Sequence, residues 1–485
     1  MKICVGYPPL ESDKGTPLLS QNRQFQWFNK PTYIYPMIPA YAATLLKENG
    51  YDVVWADGIA EQLSYEEWIP CCEGVDILAL ETKTPVVKQH WKIIDDLKTR
   101  YPNMAVVLMG DHVTALPEES MKNSRVDFIL TGGDYDFLLL SIADHLLYGN
   151  KLEPGIWYKE EGSIVNTGKF ELNHDLNTLP LIDRDLTRWE LYSVHNGNFT
   201  STPGTYTMVG RDCWYHKCRF CSWTTTYPNF RTRSPESLLD EIGMLIEQYG
   251  VKSIMDDTGT FPVGQWLRTF CTGMIERGYN KKVEIHCNMR VNALTEEDYK
   301  LMGKAGFRFL LVGMESANQQ TLDRLDKGIK VEDVASACKM AKEAGLNPHL
   351  TVMMGHPWET KEDAQNTINL AKHIFKKGWA DTLQGTIMVP YPGTPLFDEC
   401  KENGWLRTED WDEYDMRQPI MKCPMTDEDI KELTQQLYKI FLSPNYIFRK
   451  LVSIRTMDDL KFIKRGIRSV VGHLTDFSNN KKTCD

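Results

Sequence analysis

The chain has 485 residues, 42% hydrophobic and 25% charged, with a net charge of −11. That is length for two or three packed domains, and the negative charge argues against nucleic acid as a bulk electrostatic partner. No apolar run reaches the roughly 18 residues of a membrane span, and the start, Met1-Lys-Ile-Cys-Val-Gly-Tyr7, reads as a strand and not an export signal, so the twelve cysteines are expected as reduced thiols in a cytoplasm.

Residues 1–150 alternate strand and helix. Strands are predicted at 2–6, 51–56, 75–81, 105–109 and 126–131, with helices at 38–49, 88–100 and 137–147. This alternation predicts a doubly wound parallel sheet. Such sheets bind ligands beyond the carboxyl ends of their strands. Those ends carry Pro8, Pro9, Glu81, Thr82, Gly110, Asp111, His112, Gly132, Gly133 and Asp134, and the glycines would let backbone approach a large flat ligand. His112 by itself reads more simply as a hydrogen-bonded structural histidine than as a ligand.

Residues 151–204 read as a linker, with a hairpin at 155–167 and a proline-broken crossing at 175–184. From 205 to 400 the alternation returns. Strands are predicted at 206–210, 253–255, 283–287, 309–312, 350–354 and 383–388, with helices at 235–249, 263–277, 296–305, 319–325, 331–344 and 361–377. Six β/α units predict a partial parallel barrel with its chemistry at the carboxyl ends of the strands. Those ends carry Asp256, Asp257, Asn288, Arg290, Glu315, Gly355 and the run Pro390–Pro395, while Met302, Met314, Met353, Met354 and Met388 read as core.

Between the first two of these strands lies Arg211-Asp-Cys-Trp-Tyr-His-Lys-Cys-Arg-Phe-Cys-Ser-Trp223. Cys213, Cys218 and Cys221 fall within nine residues, with gaps of four and two. Three thiolates so close suit a [4Fe-4S] cluster whose fourth iron stays open to a substrate or cofactor. A zinc site would need a fourth ligand, for which His216 is the local candidate. Three core thiols are the third reading. The other nine cysteines are scattered and read as incidental.

The loop resembles the signature of the radical S-adenosylmethionine (SAM) enzymes, Cys-x3-Cys-x2-Cys with an aromatic residue before the third cysteine, here Phe220. This chain has one more residue in the first gap, which adds at most about 3.5 Å of reach. Gly313-Met-Glu-Ser316 and Tyr391-Pro-Gly-Thr-Pro-Leu396 resemble further strings of that family. Gly110-Asp-His-Val-Thr-Ala-Leu-Pro-Glu118 and Val126-Asp-Phe-Ile-Leu-Thr-Gly-Gly-Asp134 partly match the cobalamin-binding domain that precedes many of its barrels. The Asp-x-His-x-x-Gly motif that supplies a cobalt ligand in many cobalamin proteins is absent, so the resemblance implies cobalamin held without a histidine, at the strand ends named above.

The resemblance also implies SAM at the open iron. Arg290 would bind its carboxylate, Glu315 would accept from its ribose or ammonium, and Asp256 and Asp257 would do the same or shape the pocket. Strand-end capping is the simpler reading of these four. The implied activity is methyl transfer to an unactivated carbon of a small or lipid-like substrate, with ferredoxin or flavodoxin as electron donor. Radical cyclisation or ring rearrangement is the alternative within the family, and a non-catalytic cofactor sensor or carrier the alternative outside it.

Residues 401–485 are expected to be helical. Trp405, Trp411, Tyr414 and Met416 are candidates to cover the open side of the barrel and touch substrate, or merely to pack. The basic stretch Tyr446–Arg468 reads as a solvated helical face or as a surface for peripheral contact with an anionic membrane.

Overall fold

A computed structural model describes residues 1–19, 25–211, 213–454, 460, 463, 464 and 466. The first unit contains β1 (Lys2–Tyr7), β2 (Thr16–Leu18), β3 (Gln26–Phe28), β4 (Asp52–Asp57), β5 (Ile77–Glu81), β6 (Ala105–Met109), β7 (Phe128–Leu130), β8 (Ile156–Glu160) and β9 (Ser163–Asn166). Seven of them make one sheet in the order β4-β1-β5-β6-β7-β8-β9, parallel as far as β7 and antiparallel after it.

The central strands are apolar throughout because both faces are covered. Alternate residues serve alternate faces. Ile3, Val5, Ile77 and Ala79 pack under the helices Met37–Glu48 and Tyr135–Tyr148. Cys4, Leu78 and Leu80 pack with Trp68, Ile94 and Leu97 on the other face. The hairpin β8–β9, expected in the linker, instead extends this sheet, with Tyr158 stacked on Phe128 at 6.2 Å. The small pair β2–β3 has no counterpart in the expected elements.

The second unit contains β10 (Gly204–Thr207), β11 (Gly210–Arg211), β12 (Arg231–Thr232), β13 (Ser253–Asp256), β14 (Glu284–Met289), β15 (Phe307–Glu315), β16 (Asn347–Met354) and β17 (Thr382–Ile387). Six strands run parallel in the order β10-β13-β14-β15-β16-β17, with helices on the outside, as the partial barrel requires. The strand expected to feed the cysteine loop stops at Thr207, and the loop hangs from the separate ladder β11–β12. Thr295 and Thr360 close capping boxes with Asp298 and Asp363, which fixes where two of the outer helices start.

The C-terminal helix Asp427–Tyr438 covers β17, with the Tyr438 hydroxyl donating to Gly385 O at 2.9 Å. A further helix spans Pro444–Ser453. Trp411, Tyr414 and Met416 do not face substrate space: they pack with Val87, Val389 and Phe397 and so join the two units. Trp405 packs beside Met353, Met388 and Leu396. Asp415 also accepts from Lys14 at 2.6 Å, and Arg417 donates to Lys14 O at 2.6 Å. Arg455, Asp458, Asp459, Lys461, Arg465 and Arg468 of the basic stretch, and Asp212 of the cysteine loop, lie outside the described residues. Among the described residues no helix is long and apolar enough to cross a membrane.

A buried ionic network joins the units at the carboxyl end of β7. Arg211 donates to Asp134 at 2.8 Å and to Asp136 at 3.0 Å, while Arg231 reaches Asp134 at 2.6 Å. His174 bridges Asp134 and Glu153, at 3.0 Å from each. Burial opposes ionisation of Asp134, but Arg211, His174 and Arg231 outweigh it and hold its carboxyl well below the usual range. Removing one partner of a buried ion pair costs about 3–5 kcal/mol. Arg211→Ala should lower stability by about that amount, read as a lower urea midpoint by circular dichroism.

Burial lowers the His174 pKa, but its two carboxylate partners outweigh that and lift it to about 9. A raised pKa stabilises fully below the unfolded value and fades as pH rises through the folded one. The thermal midpoints of the natural protein and His174→Asn should therefore differ near pH 6 and converge above about pH 9. A gap that is constant across that range would remove protonated His174 from the network.

Candidate active site

The cysteine loop runs from β11 to the short helix Trp223–Thr226 and is pinned from both sides. Trp214 donates its indole N–H to Phe261 O at 3.3 Å, and Tyr215 its hydroxyl to Asp326 at 3.1 Å. The Arg219 N–H donates to Leu325 O, and Arg219 O accepts from the Leu396 N–H, both at 3.0 Å. The long first gap turns at His216, whose φ of 54° lies in the left-handed region. Cys213 Sγ lies 2.9 Å from the Thr260 hydroxyl.

All three thiols line a cavity of about 850 Å³. His216 does not line it. Its walls come from the inner faces of β15–β17 and the end of β14, from β2–β3, from the loop His195–Asn198, from Lys83, Thr84 and Asp111 of the first unit, from the helices Asp427–Tyr438 and Pro444–Ser453, and from Ile463 and Gly466. Phe220 and Trp223 flank the thiols on this wall.

Beside the thiols stands a compact set of charges. Arg290 lies 3.9 Å from Cys218 Sγ, donates to Lys327 O at 2.6 Å and stacks 3.5 Å over the Tyr215 ring. Lys327 Nζ donates to Glu315 at 2.6 Å and lies 5.7 Å from the centre of the Phe220 ring. Burial opposes the Lys327 charge, but Glu315 and Cys218 outweigh it and keep its pKa above the usual value. Burial pushes the Cys218 thiol up, while Lys327 and Arg290 pull against it. Two cations share one carboxylate here, so the surplus charge beside the cysteine loop is positive.

The structure therefore brings Cys213, Cys218, Cys221, Arg290 and Glu315 together on one wall. Glu315 sits at a β-bulge between Gly313 and Glu315 with φ of 60°, and its second oxygen is 3.4 Å from the Thr351 hydroxyl. Lys327 is a cavity residue that sequence reasoning missed. Its signal was slight: a lone lysine before Gly328, where a Cβ would lie 2.0 Å from the Tyr215 hydroxyl.

Asp256 and Asp257 do not line the cavity. Asp256 accepts from the Thr207 hydroxyl at 2.8 Å and the Val209 N–H at 3.0 Å, which makes it a strand-end cap.

Of the residues expected to face a flat ligand from the first sheet, Asp111 lines the cavity, joined by its partner Lys83 at 3.2 Å. The others turn to the protein. Pro8 is buried. Glu81 accepts from the Tyr7 hydroxyl at 2.6 Å, and burial pushes its carboxyl up to about 7. Thr82 pairs with His90 at 2.9 Å. A Cβ on Gly110 would lie 2.1 Å from Thr82 O. His112 is held by Thr84 at 3.1 Å and Glu119 at 3.2 Å, and its ring lies 5.4 Å from that of Trp411. Gly132 and Gly133 do permit a close approach, but by Phe170 and Tyr227: added Cβ atoms would lie 2.6 Å and 1.8 Å from those rings. Asp134 belongs to the Arg211 network.

Residues 208–371 match the model of the Radical SAM superfamily. An uncharacterized methyltransferase of Pyrococcus horikoshii is 28% identical over 445 residues, covering 90% of this chain and 93% of that protein. The structure of the cobalamin-dependent SAM radical enzyme OxsB, with aqua-cobalamin and SAM bound, superposes with a TM-score of 0.71 at 16% identity, over 97% of this chain and 71% of that one. The radical SAM methyltransferase TsrM of Kitasatospora setae, with cobalamin and a [4Fe-4S] cluster bound, superposes with a TM-score of 0.66 at 15% identity, over 84% and 79%. The three thiols thus stand beside a surplus of positive charge at one edge of a partial barrel that matches the Radical SAM superfamily model over residues 208–371, and the chain as a whole has the two-part fold of OxsB and TsrM.

Proposed function

We propose that the chain is a cobalamin-dependent radical SAM methyltransferase of the cytoplasm, with Cys213, Cys218 and Cys221 as ligands of a [4Fe-4S] cluster. The observation that carries the reading is the charge balance at the loop. Thiolates are anionic ligands, and Arg290 at 3.9 Å from Cys218 with Lys327 behind it offsets them where a neutral core would not. Among the described residues no three His, Cys, Asp or Glu side chains converge on a single metal ion. A cubane, whose irons take one thiolate each, does not require that.

The residues fit the other two groups as well. Arg290, fixed by Lys327 O and Tyr215, keeps N–H groups on the cavity side for the SAM carboxylate. Glu315 gives one oxygen to Lys327 and accepts a long bond from the Thr351 hydroxyl on the other, whose second lone pair would take a ribose hydroxyl or the ammonium. Lys83, Thr84 and Asp111 would hold the polar edge of cobalamin, while His112, tied to Thr84 and Glu119, stays off the cobalt. When bound, these groups supply a 5′-deoxyadenosyl radical for hydrogen abstraction and a methyl group for transfer, with electrons from a ferredoxin or flavodoxin. Phe220 and Trp223 would keep water from the thiols, and the wall that includes Phe309, Leu311, Met353 and Met388 would position the carbon to be methylated.

Anaerobic reconstitution should load about four iron and four sulfide per chain. Serine at Cys213, Cys218 and Cys221 together should abolish both. Stoichiometric zinc, with no iron uptake, would overturn the cluster.

With a strong reductant and bound cobalamin, the enzyme should form 5′-deoxyadenosine and S-adenosylhomocysteine. Deoxyadenosine alone, in the presence of true substrate, would point to cyclisation or rearrangement, and neither product to a carrier. Arg290→Ala should weaken SAM binding by about 1–3 kcal/mol, the cost of a lost charged hydrogen bond, and leave iron content unchanged.

A further inference from the structure

We infer that the cavity takes a neutral, lipid-like molecule, and that its mouth docks on an anionic membrane to receive it. What is done to that molecule rests on the methyltransferase reading; the docking does not.

The cavity offers little to a charged substrate. Of its lysines, Lys83 is paired with Asp111, Lys327 with Glu315, and Lys450 with Asp381 at 2.8 Å, while Lys30 is exposed to solvent. Arg290 is taken up by the cysteine loop, against Cys218 and the Tyr215 ring. Away from the loop the wall is largely apolar, with Phe309, Leu311, Met353, Leu383, Met388 and Phe441 on it. Such a lining favours a ligand through apolar burial.

The mouth is apolar on the outside as well. Leu442, Ile447 and Leu451 line the cavity, yet they are 59%, 44% and 61% exposed. Phe448 and Val452 continue the same patch at 67% and 65% exposure. On the helix Pro444–Ser453, residues 447, 448, 451 and 452 share one face by their spacing. A contiguous apolar patch around an opening marks a surface that is covered in use.

Charge identifies the cover. Residues 444–485 hold nine Lys and Arg against four Asp and Glu, in a chain whose net charge is −11. Arg449 and Lys450 brace the helix to the body through Phe375 O and Asp381, and the Lys464 side chain is exposed. An apolar helical face inside a basic segment suits the headgroup region of an anionic bilayer. A molecule leaving that bilayer through Leu442, Ile447 and Leu451 would remain on apolar surface all the way into the cavity.

The test uses the full chain and sedimentation with vesicles. Phosphatidylcholine vesicles containing phosphatidylglycerol should bind it on the order of tenfold or more tightly than phosphatidylcholine alone. Phe448→Glu with Val452→Glu should abolish binding while circular dichroism and iron uptake stay unchanged. Neither residue lines the cavity. Excimer fluorescence of a neutral pyrene-labelled diacylglycerol in those vesicles should fall as single molecules enter the cavity. The inference is overturned by absence of vesicle binding, by equal binding of the double variant, or by an unchanged excimer signal on bound vesicles. A dimer that the double variant dissociates, without vesicle binding, would assign the patch to a second copy and overturn it too. Binding needs no cofactor, so vesicle binding by a protein that forms no deoxyadenosine would refute the enzymatic reading alone.

Discussion

The guanidinium of Arg211 is the contact on which the architecture turns. It is buried between Asp134 and Asp136 of the first unit, and it stands two residues before the first cysteine of the loop. The register of one unit on the other and the position of the loop therefore share one support. Glycine at 133 is part of the same device, because only a residue without Cβ lets the Tyr227 ring close over the end of β7. A second buried cluster, Arg184 and Arg233 on Glu241, repeats the arrangement. Buried charges are strongly destabilising when one partner is lost, so such joints tolerate few alternative geometries.

The site is built by the opposite tactic. At the cysteine loop the cations exceed the carboxylates, and the imbalance is held in place by neutral contacts: a carbonyl on Arg290, aromatic rings beneath it, hydrogen bonds from the loop to Phe261 and Leu325. A folded chain sustains such an imbalance where something anionic completes it. The bulge and left-handed backbone at Glu315 have the same character, local strain at the point where side chains converge.

Much of this was legible in the sequence. The parallel strands were, because strands covered on both faces must be apolar throughout. The cysteine loop was, because spacing is itself chemistry. The hairpin at 156–166 was placed in the linker because a short half-exposed hairpin does not encode which sheet edge it joins. Gly132 and Gly133 announced a close approach, but glycine does not say whether a ligand or a tyrosine makes it. Lys327 was missed because its burial depends on Glu315 and Cys218, which only the folded chain brings near. Trp411 was left between substrate contact and packing because an aromatic residue near a barrel reads the same whether it faces the cavity or its neighbours; it packs.

The ion pair between Lys14 and Asp415 spans 401 residues of sequence. Contacts so distant along the chain carry the largest closure entropy and belong late in folding. During synthesis the first sheet can assemble early, with Phe25 and Trp27 in its core, while the ties from Lys14 and Trp27 to Asp415 and Arg417 can form only once the far end of the chain has left the ribosome. The wall that β2–β3 gives the chamber is thus fastened by the last part of the chain to be made.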